Sequence, residues 1–227
     1  MPKSNFISQT LAIFKKDIQL ELKTKEIISS MLLFSMLVVV VFSFLFEPGN
    51  IEQAGIAGGV YWMALIFAGL LGLGKSMQAE INGGNLEALL LSPISRNAIF
   101  YGKLLSNIAF LLCIQLIMLP LFVVLYDTNL VSHISMLAVI LGTTYAFSLL
   151  GTLFSLMAAR SSTREILLPI LLLPMLVPVI LGAIQATNGA LFQDAVSTYA
   201  VWIRLIVVYD VVFTAIASLL FEVVVEE

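Results

Sequence analysis

Only one cysteine and one histidine occur in this 227-residue chain, Cys113 and His133, so neither a disulfide framework nor a cysteine metal cluster can be built from it. Charge is scarce as well. Asp, Glu, Lys and Arg make up 11% of the residues against 60% hydrophobic, and mean hydropathy is +1.07. That polar complement is too small to cover a globule of this length, which excludes a water-soluble domain. The formal net charge is -3 and the cations form no basic patch, so nucleic acid is not an expected partner. The apolar runs do not alternate as barrel strands do over about ten residues, which excludes a membrane barrel. Some 26 polar and amphipathic residues precede the first apolar run and no small-residue cleavage pattern follows it. That run is expected to stay as an anchor rather than leave as a signal peptide.

What remains is an all-α integral membrane protein. A hydrocarbon core about 30 Å thick needs roughly 20 helical residues, and the stretch 27–46 meets that length without a charge. Comparable runs lie near 54–74, 103–126, 134–159, 166–186 and 200–221, giving six predicted spans. Ten of the eleven Lys and Arg residues fall on one side of these spans. Lys3, Lys15, Lys16, Lys23 and Lys25 precede span one, Lys75, Arg96 and Lys103 follow span two, and Arg160 and Arg164 follow span four. The alternate connections, 47–53, 127–133 and 187–199, hold no Lys or Arg. Cations stay in the cytoplasm, so both termini are expected inside a bacterial plasma membrane. Tyr126, Tyr199 and Trp202 then fall at the outer headgroup level, which suits their amphipathic rings.

Residues 1–26 are expected to form a cytoplasmic-face amphipathic helix ahead of a single transmembrane domain, 27–227. Ile7, Leu11, Phe14, Ile18 and Leu22 are spaced 4, 3, 4 and 4, which places them on one helix face. Such a helix can lie in the inner headgroup region with Lys16 and Lys23 toward anionic lipid, or pack on a partner; Glu21 sits awkwardly near the stripe. The longest connection, 75–101, has its own signals. Asn82, Gly83 and Gly84 make a turn, Asn85 caps a short helix near 85–92, Ser92-Pro93 stops it, and Ser95 or Asn97 begins the run into span three. That short helix offers Glu87 among Leu86, Leu89, Leu90 and Leu91, an apolar knob that needs a socket on a partner or a place on the bilayer surface.

Residues 69–76 read GLLGLGKS and satisfy the phosphate-loop pattern G-x-x-x-x-G-K-S. The pattern is misleading here. A phosphate loop joins a strand to a helix in water, whereas these glycines close an apolar membrane run. They are expected instead to permit close helix contact, as are the small-residue series Gly55/Gly59, Ala64/Ala68/Gly72 and Gly151/Ser155/Ala159. Within span six, Asp210 and Arg204 are intramembrane polar residues, each costing about 2.5–3.5 kcal/mol unless sheltered. Asp210 is expected to face a bundle or dimer interior and to bond to groups such as Tyr145, Thr143 or Gln115. Arg204 can snorkel to the outer interface. His133 could ligate a metal or a haem iron, or simply sit at the boundary as a polar residue. Pro169, Pro174 and Pro178 predict a kinked or discontinuous span five.

Taken together, the chain resembles CcmB, the haem exporter protein B permease of bacterial cytochrome c maturation, within the ABC-2-type exporters. The resemblance rests on Lys16-Asp17 and Glu21 before span one. It continues through Glu80, Gly84, Leu86-Glu87, Leu89, Leu90, Ser92-Pro93, Arg96 and Gly102-Lys103. The acidic tail 222–227 departs from the basic or apolar tails associated with that family. The resemblance implies a non-catalytic permease subunit, two copies of which sit on a separate ATPase, with Glu80, Gly84, Leu86, Glu87, Leu89, Leu90, Ser92, Pro93 and Arg96 forming the coupling region. It further implies ATP bound by that partner, no cofactor or metal bound directly, and haem as a candidate substrate. The companions would be a haem-handling membrane protein and a haem chaperone, with haem delivery or chaperone release at the outer face. The tryptophan-rich haem signature of related maturation proteins is absent, so no haem ligand is assigned. The other readings are an ABC-2-type permease for a lipid, drug or polysaccharide, an ATP-independent secondary transporter or channel, and a structural membrane scaffold.

Overall fold

The computed structural model describes residues 6–45, 51–82, 94–126, 134–158, 163–192 and 194–224. Among these the chain forms seven helices and no strand: α1 (Phe6–Thr24), α2 (Glu26–Ser43), α3 (Ile51–Asn82), α4 (Arg96–Tyr126), α5 (Ser135–Ala158), α6 (Arg164–Leu191) and α7 (Val196–Val224). All but α1 are long and apolar enough to cross a membrane, so the protein is a multi-pass helical membrane protein.

The spans are longer than their apolar windows. α3 has 32 residues and α4 has 31, each about 47 Å at the α-helical rise, against a hydrocarbon core of about 30 Å. Both overrun on the same side, α3 continuing to Asn82 and α4 starting at Arg96. Most of the predicted connection 75–101 is therefore helix. Hydropathy marks where side chains prefer lipid, whereas the helix continues for as long as its backbone bonds and side-chain charges find partners. Ser95 starts α4, its hydroxyl accepting from Ala98 N at 3.3 Å while also donating to Gln9 Oε1 at 3.0 Å. The proposed short helix near 85–92 lies outside the described residues.

α3 and α5 are mostly enclosed, whereas α2 and α7 present most of their length outward, including Leu33, Leu37, Val208 and Val211. An apolar exterior is the stable one for a helix surrounded by lipid. Inside, Tyr61 and Trp62 of α3 pack beside Phe122 of α4, with the Tyr61 and Phe122 rings edge to face at 5.3 Å. Trp62 Nε1 donates to Thr187 Oγ1 of α6 at 2.9 Å, and Gln115 Nε2 of α4 to Thr144 Oγ1 of α5 at 2.6 Å. At the end of the bundle opposite α1, Tyr126 donates to Val39 O, and the Tyr199 and Ser135 hydroxyls lie 3.0 Å apart.

The phosphate-loop lookalike is interior helix. Gly69 meets the Phe147 ring of α5, where an added Cβ would come within 2.6 Å, and Gly72 meets Met31 of α2. Gly151 likewise receives Leu73. Gly59 departs from the expected pattern, because a Cβ there would meet nothing within 4 Å. Small residues allow close approach only on the helix face that carries a neighbour. α6 is continuous through Pro169, Pro174 and Pro178, so the span is not discontinuous. Each proline removes one intrahelical donor, and the Tyr209 hydroxyl of α7 donates to Met175 O in this weakened stretch.

Gly69→Leu or Gly151→Leu is expected to lower stability by about 1–3 kcal/mol through overpacking. Gly59→Ala should leave it unchanged or raised. Thermal unfolding followed by tryptophan fluorescence in mild detergent separates the two classes.

Candidate functional site

Four charged side chains from three helices converge at the end of the bundle where α1 lies. Lys16 and Asp17 come from α1, Glu80 from the last turn of α3, and Lys103 from the second turn of α4. Lys103 Nζ donates to Asp17 Oδ1 at 3.0 Å and also contacts Glu80 Oε1. Lys16 Nζ donates to the same Glu80 oxygen at 2.9 Å and lies 3.3 Å from Asp17. Asp17, Glu80 and Lys103 are each 7% exposed or less. Two cations meet two carboxylates, so the cluster is electrically balanced. Balance is necessary, because an unpaired buried ion carries a desolvation penalty of several kcal/mol.

Burial pulls the Lys16 ammonium down, but hydrogen bonding to Glu80 and the charge of Asp17 outweigh it and hold the group above the ordinary lysine value. Such a raised value contributes stability below the unfolded value, lost only as pH rises through the folded one. The ion pair is therefore intact throughout the neutral range.

The local sequence brings α1 in by its polar side. Thr10, Ile13, Asp17 and Glu21, spaced 3, 4 and 4, form its buried face, while Ile7, Leu11 and Leu22 of the apolar stripe are exposed. This corrects two expectations. Lys16 is taken up by carboxylates rather than left to lipid, and α1 packs on its own bundle with Ile7, Leu11 and Leu22 turned outward while Phe14 and Ile18 are half-buried, Ile18 against the core. Gly102 of α4 makes the approach possible, since an added Cβ would lie 2.7 Å from Ile13 Cβ and 3.1 Å from Thr10 O. Glu21 has a definite role. Its carboxylate accepts from Ile28 N at 2.8 Å and Ile27 N at 3.2 Å, capping the start of α2, and Lys25 between the two helices takes a left-handed conformation with φ 56°.

Of the residues singled out in the sequence, Gly84, Leu86, Glu87, Leu89, Leu90, Ser92 and Pro93 lie outside the described residues. Glu80 is in the cluster, two positions before the end of α3, and Arg96 is exposed at the start of α4. These two therefore flank the undescribed stretch 83–93 from either side. Arg204 is exposed on α7. Asp210 does not make the bonds expected of it. Tyr145 bonds instead with Thr214 at 2.8 Å, Gln115 with Thr144, and Asp210 Oδ1 has no hydrogen-bond partner among the described residues. The reason is register along α5, which presents Gly142 rather than Thr143 or Tyr145 opposite the carboxylate; a Cβ on Gly142 would be 3.4 Å from Asp210 Oδ2. The sequence reading missed Lys103 as a site residue. The available signal was a lysine at the head of an apolar run, which demands a carboxylate nearby.

Helices of membrane-crossing length, an N-terminal helix locked on by buried ion pairs and an enclosed helical core define a polytopic membrane protein with a charged platform at one end. The model of the family described as "CcmB protein" matches residues 8–226, so the chain belongs to the CcmB family. It is 28% identical over 180 residues to "Heme exporter protein B" of Rhodobacter capsulatus, covering 79% of this chain and 83% of that protein. It is 26% identical over 188 residues to the protein of the same name from Pseudomonas aeruginosa, covering 81% and 82%. The protein of that name from Escherichia coli K12 is 26% identical over 95 residues, 42% of this chain and 43% of the relative.

Replacing Lys103 by Met leaves Asp17 and Glu80 buried with only the half-exposed Lys16, and is expected to cost about 3–5 kcal/mol. Lys16→Met should cost clearly less. Thermal unfolding in detergent at neutral pH ranks the two variants.

Proposed function

We propose that this chain is the permease subunit of an ABC-type haem exporter of cytochrome c maturation. The observation that carries the reading is the family match over residues 8–226, with relatives named for haem export aligned over about four fifths of the chain. Two copies would sit on a separate ATPase subunit in the plasma membrane, with both termini and the charged platform in the cytoplasm. The positive-inside distribution supports that orientation. A haem-handling membrane protein and a haem chaperone would complete the assembly.

In this reading the segment 85–92 is the coupling element, with Glu87 and Leu86, Leu89 and Leu90 seated on the ATPase. Force enters the bundle at the two ends of the undescribed stretch, through α3 at Glu80 and α4 at Arg96. Glu80 is tied to Lys103 and Lys16, and Gly102 is packed on Ile13. A push on the coupling element would thus move α1, α3 and α4 as one body rather than bend one helix end. Rigid-body displacement suits a switch driven by closure of the ATPase. Work at the outer face, haem delivery or release of the haem-loaded chaperone, would follow from rearrangement of α2, α3 and α6.

Glu87→Arg and Leu90→Asp are expected to reduce co-purification of the ATPase at least tenfold while leaving the thermal midpoint of the isolated chain unchanged. Undiminished ATPase capture by both variants would refute the coupling assignment. Deletion of the chain should abolish haem staining of c-type cytochromes, and retained staining would exclude the haem branch in favour of another ABC-2-type cargo.

A further inference from the structure

A pocket of about 490 Å³ opens between α2, α3, α5 and α6 near the charged platform, a volume suited to a substantial part of an amphiphile. Phe34, Phe67, Leu70, Leu71, Leu168 and Leu173 supply most of its wall. Among the described lining residues the charged group is Lys75, exposed, with Gln78 one turn further along α3. Lys75 forms no ion pair among the described residues. Glu80, the carboxylate next along the helix, is already occupied by Lys103 and Lys16. Lys75 lies five positions before Glu80, about 7.5 Å of helix, which sets this ammonium just on the bilayer side of the platform. A lysine there extends its amine to the headgroup level while its stem stays in the apolar wall.

We infer that this pocket holds one anionic phospholipid, with an acyl chain along the wall of α2, α3 and α6 and the phosphate at Lys75. Charge complementarity selects the occupant. A cleft whose described lining is apolar, with Lys75 as its cation and no carboxylate among those described residues, attracts a negative headgroup, as basic pockets between transmembrane helices do. Gly74 keeps the cleft open, since it lines the pocket and an added Cβ meets nothing within 4 Å. A larger side chain at that position therefore enters the lipid's space without striking the protein. The inference does not depend on an ATPase partner or on haem as cargo.

The test is native mass spectrometry of the full chain in mild detergent, titrated with phosphatidylglycerol or phosphatidylcholine of matched chains. The wild type is expected to retain phosphatidylglycerol in preference. Lys75→Gln should lower that retention about fivefold, the equivalent of about 1 kcal/mol for one interfacial cation. Gly74→Leu should lower retention of both lipids, and unchanged thermal midpoints establish that both variants are folded. Equal retention of the two lipids by the wild type, or unchanged phosphatidylglycerol retention in both variants, overturns the assignment. Two further results also overturn it: a haem adduct with a Soret band that Gly74→Leu removes while lipid adducts persist, and loss of a dimer peak in Gly74→Leu with lipid adducts unaltered.

Discussion

A lysine ammonium buried at the end of a membrane helix has to meet carboxylates, and at Lys103 that requirement organises one whole end of the bundle. Asp17 must come from α1 and Glu80 from α3, so a helix too polar to span and a helix that spans are joined to α4 at one point. Desolvation makes each ion costly alone, while mutual pairing makes the assembly tolerable. The arrangement specifies position more than it adds stability. An apolar contact could slide along α4, whereas a cation with two carboxylates, together with Gly102 against Ile13, admits one register of α1.

This requirement also explains why α3 and α4 continue past their apolar windows. The last turn of α3 and the second turn of α4 carry charges, Glu80 and Lys103, that are satisfied within the protein, so the helices reach out of the hydrocarbon without leaving these buried ions unpaired. Glu21 extends the same logic into α2, accepting two backbone donors at a helix start that would otherwise be unsatisfied. The platform is thus built from Lys16, Asp17, Glu80 and Lys103, with Glu21 beside it as the cap of α2.

Family membership and geometry bear on function in different ways. The CcmB match covers nearly the whole chain and carries the haem-export reading, while the platform describes how movement at residues 83–93 would be shared among helices. Several residues that mark the family resemblance, Lys16, Asp17, Glu21, Glu80, Gly102 and Lys103, turn inward to hold the chain together. Conversely, Gly74 and Lys75, which look like part of a nucleotide motif, line the pocket between α2, α3, α5 and α6.

The apolar runs made the helices legible from composition and period alone, and the glycine spacing some of their contacts, because a bilayer imposes one rule on every residue it touches. Gly69 and Gly72 could be read as contact positions for the same reason. Pairing across distant positions was not legible. Lys103 with Asp17 and Glu80, Glu21 with the start of α2, and Tyr145 with Thr214 in place of Asp210 depend on which faces meet after packing, and periodicity along one helix is silent about the rotation of its neighbour. α1 shows the limit most directly: its amphipathic pattern was plain in the chain, but which face met protein was settled by carboxylates and a lysine brought together from three separate helices, which leaves Ile7, Leu11 and Leu22 outward and Phe14 and Ile18 half-buried.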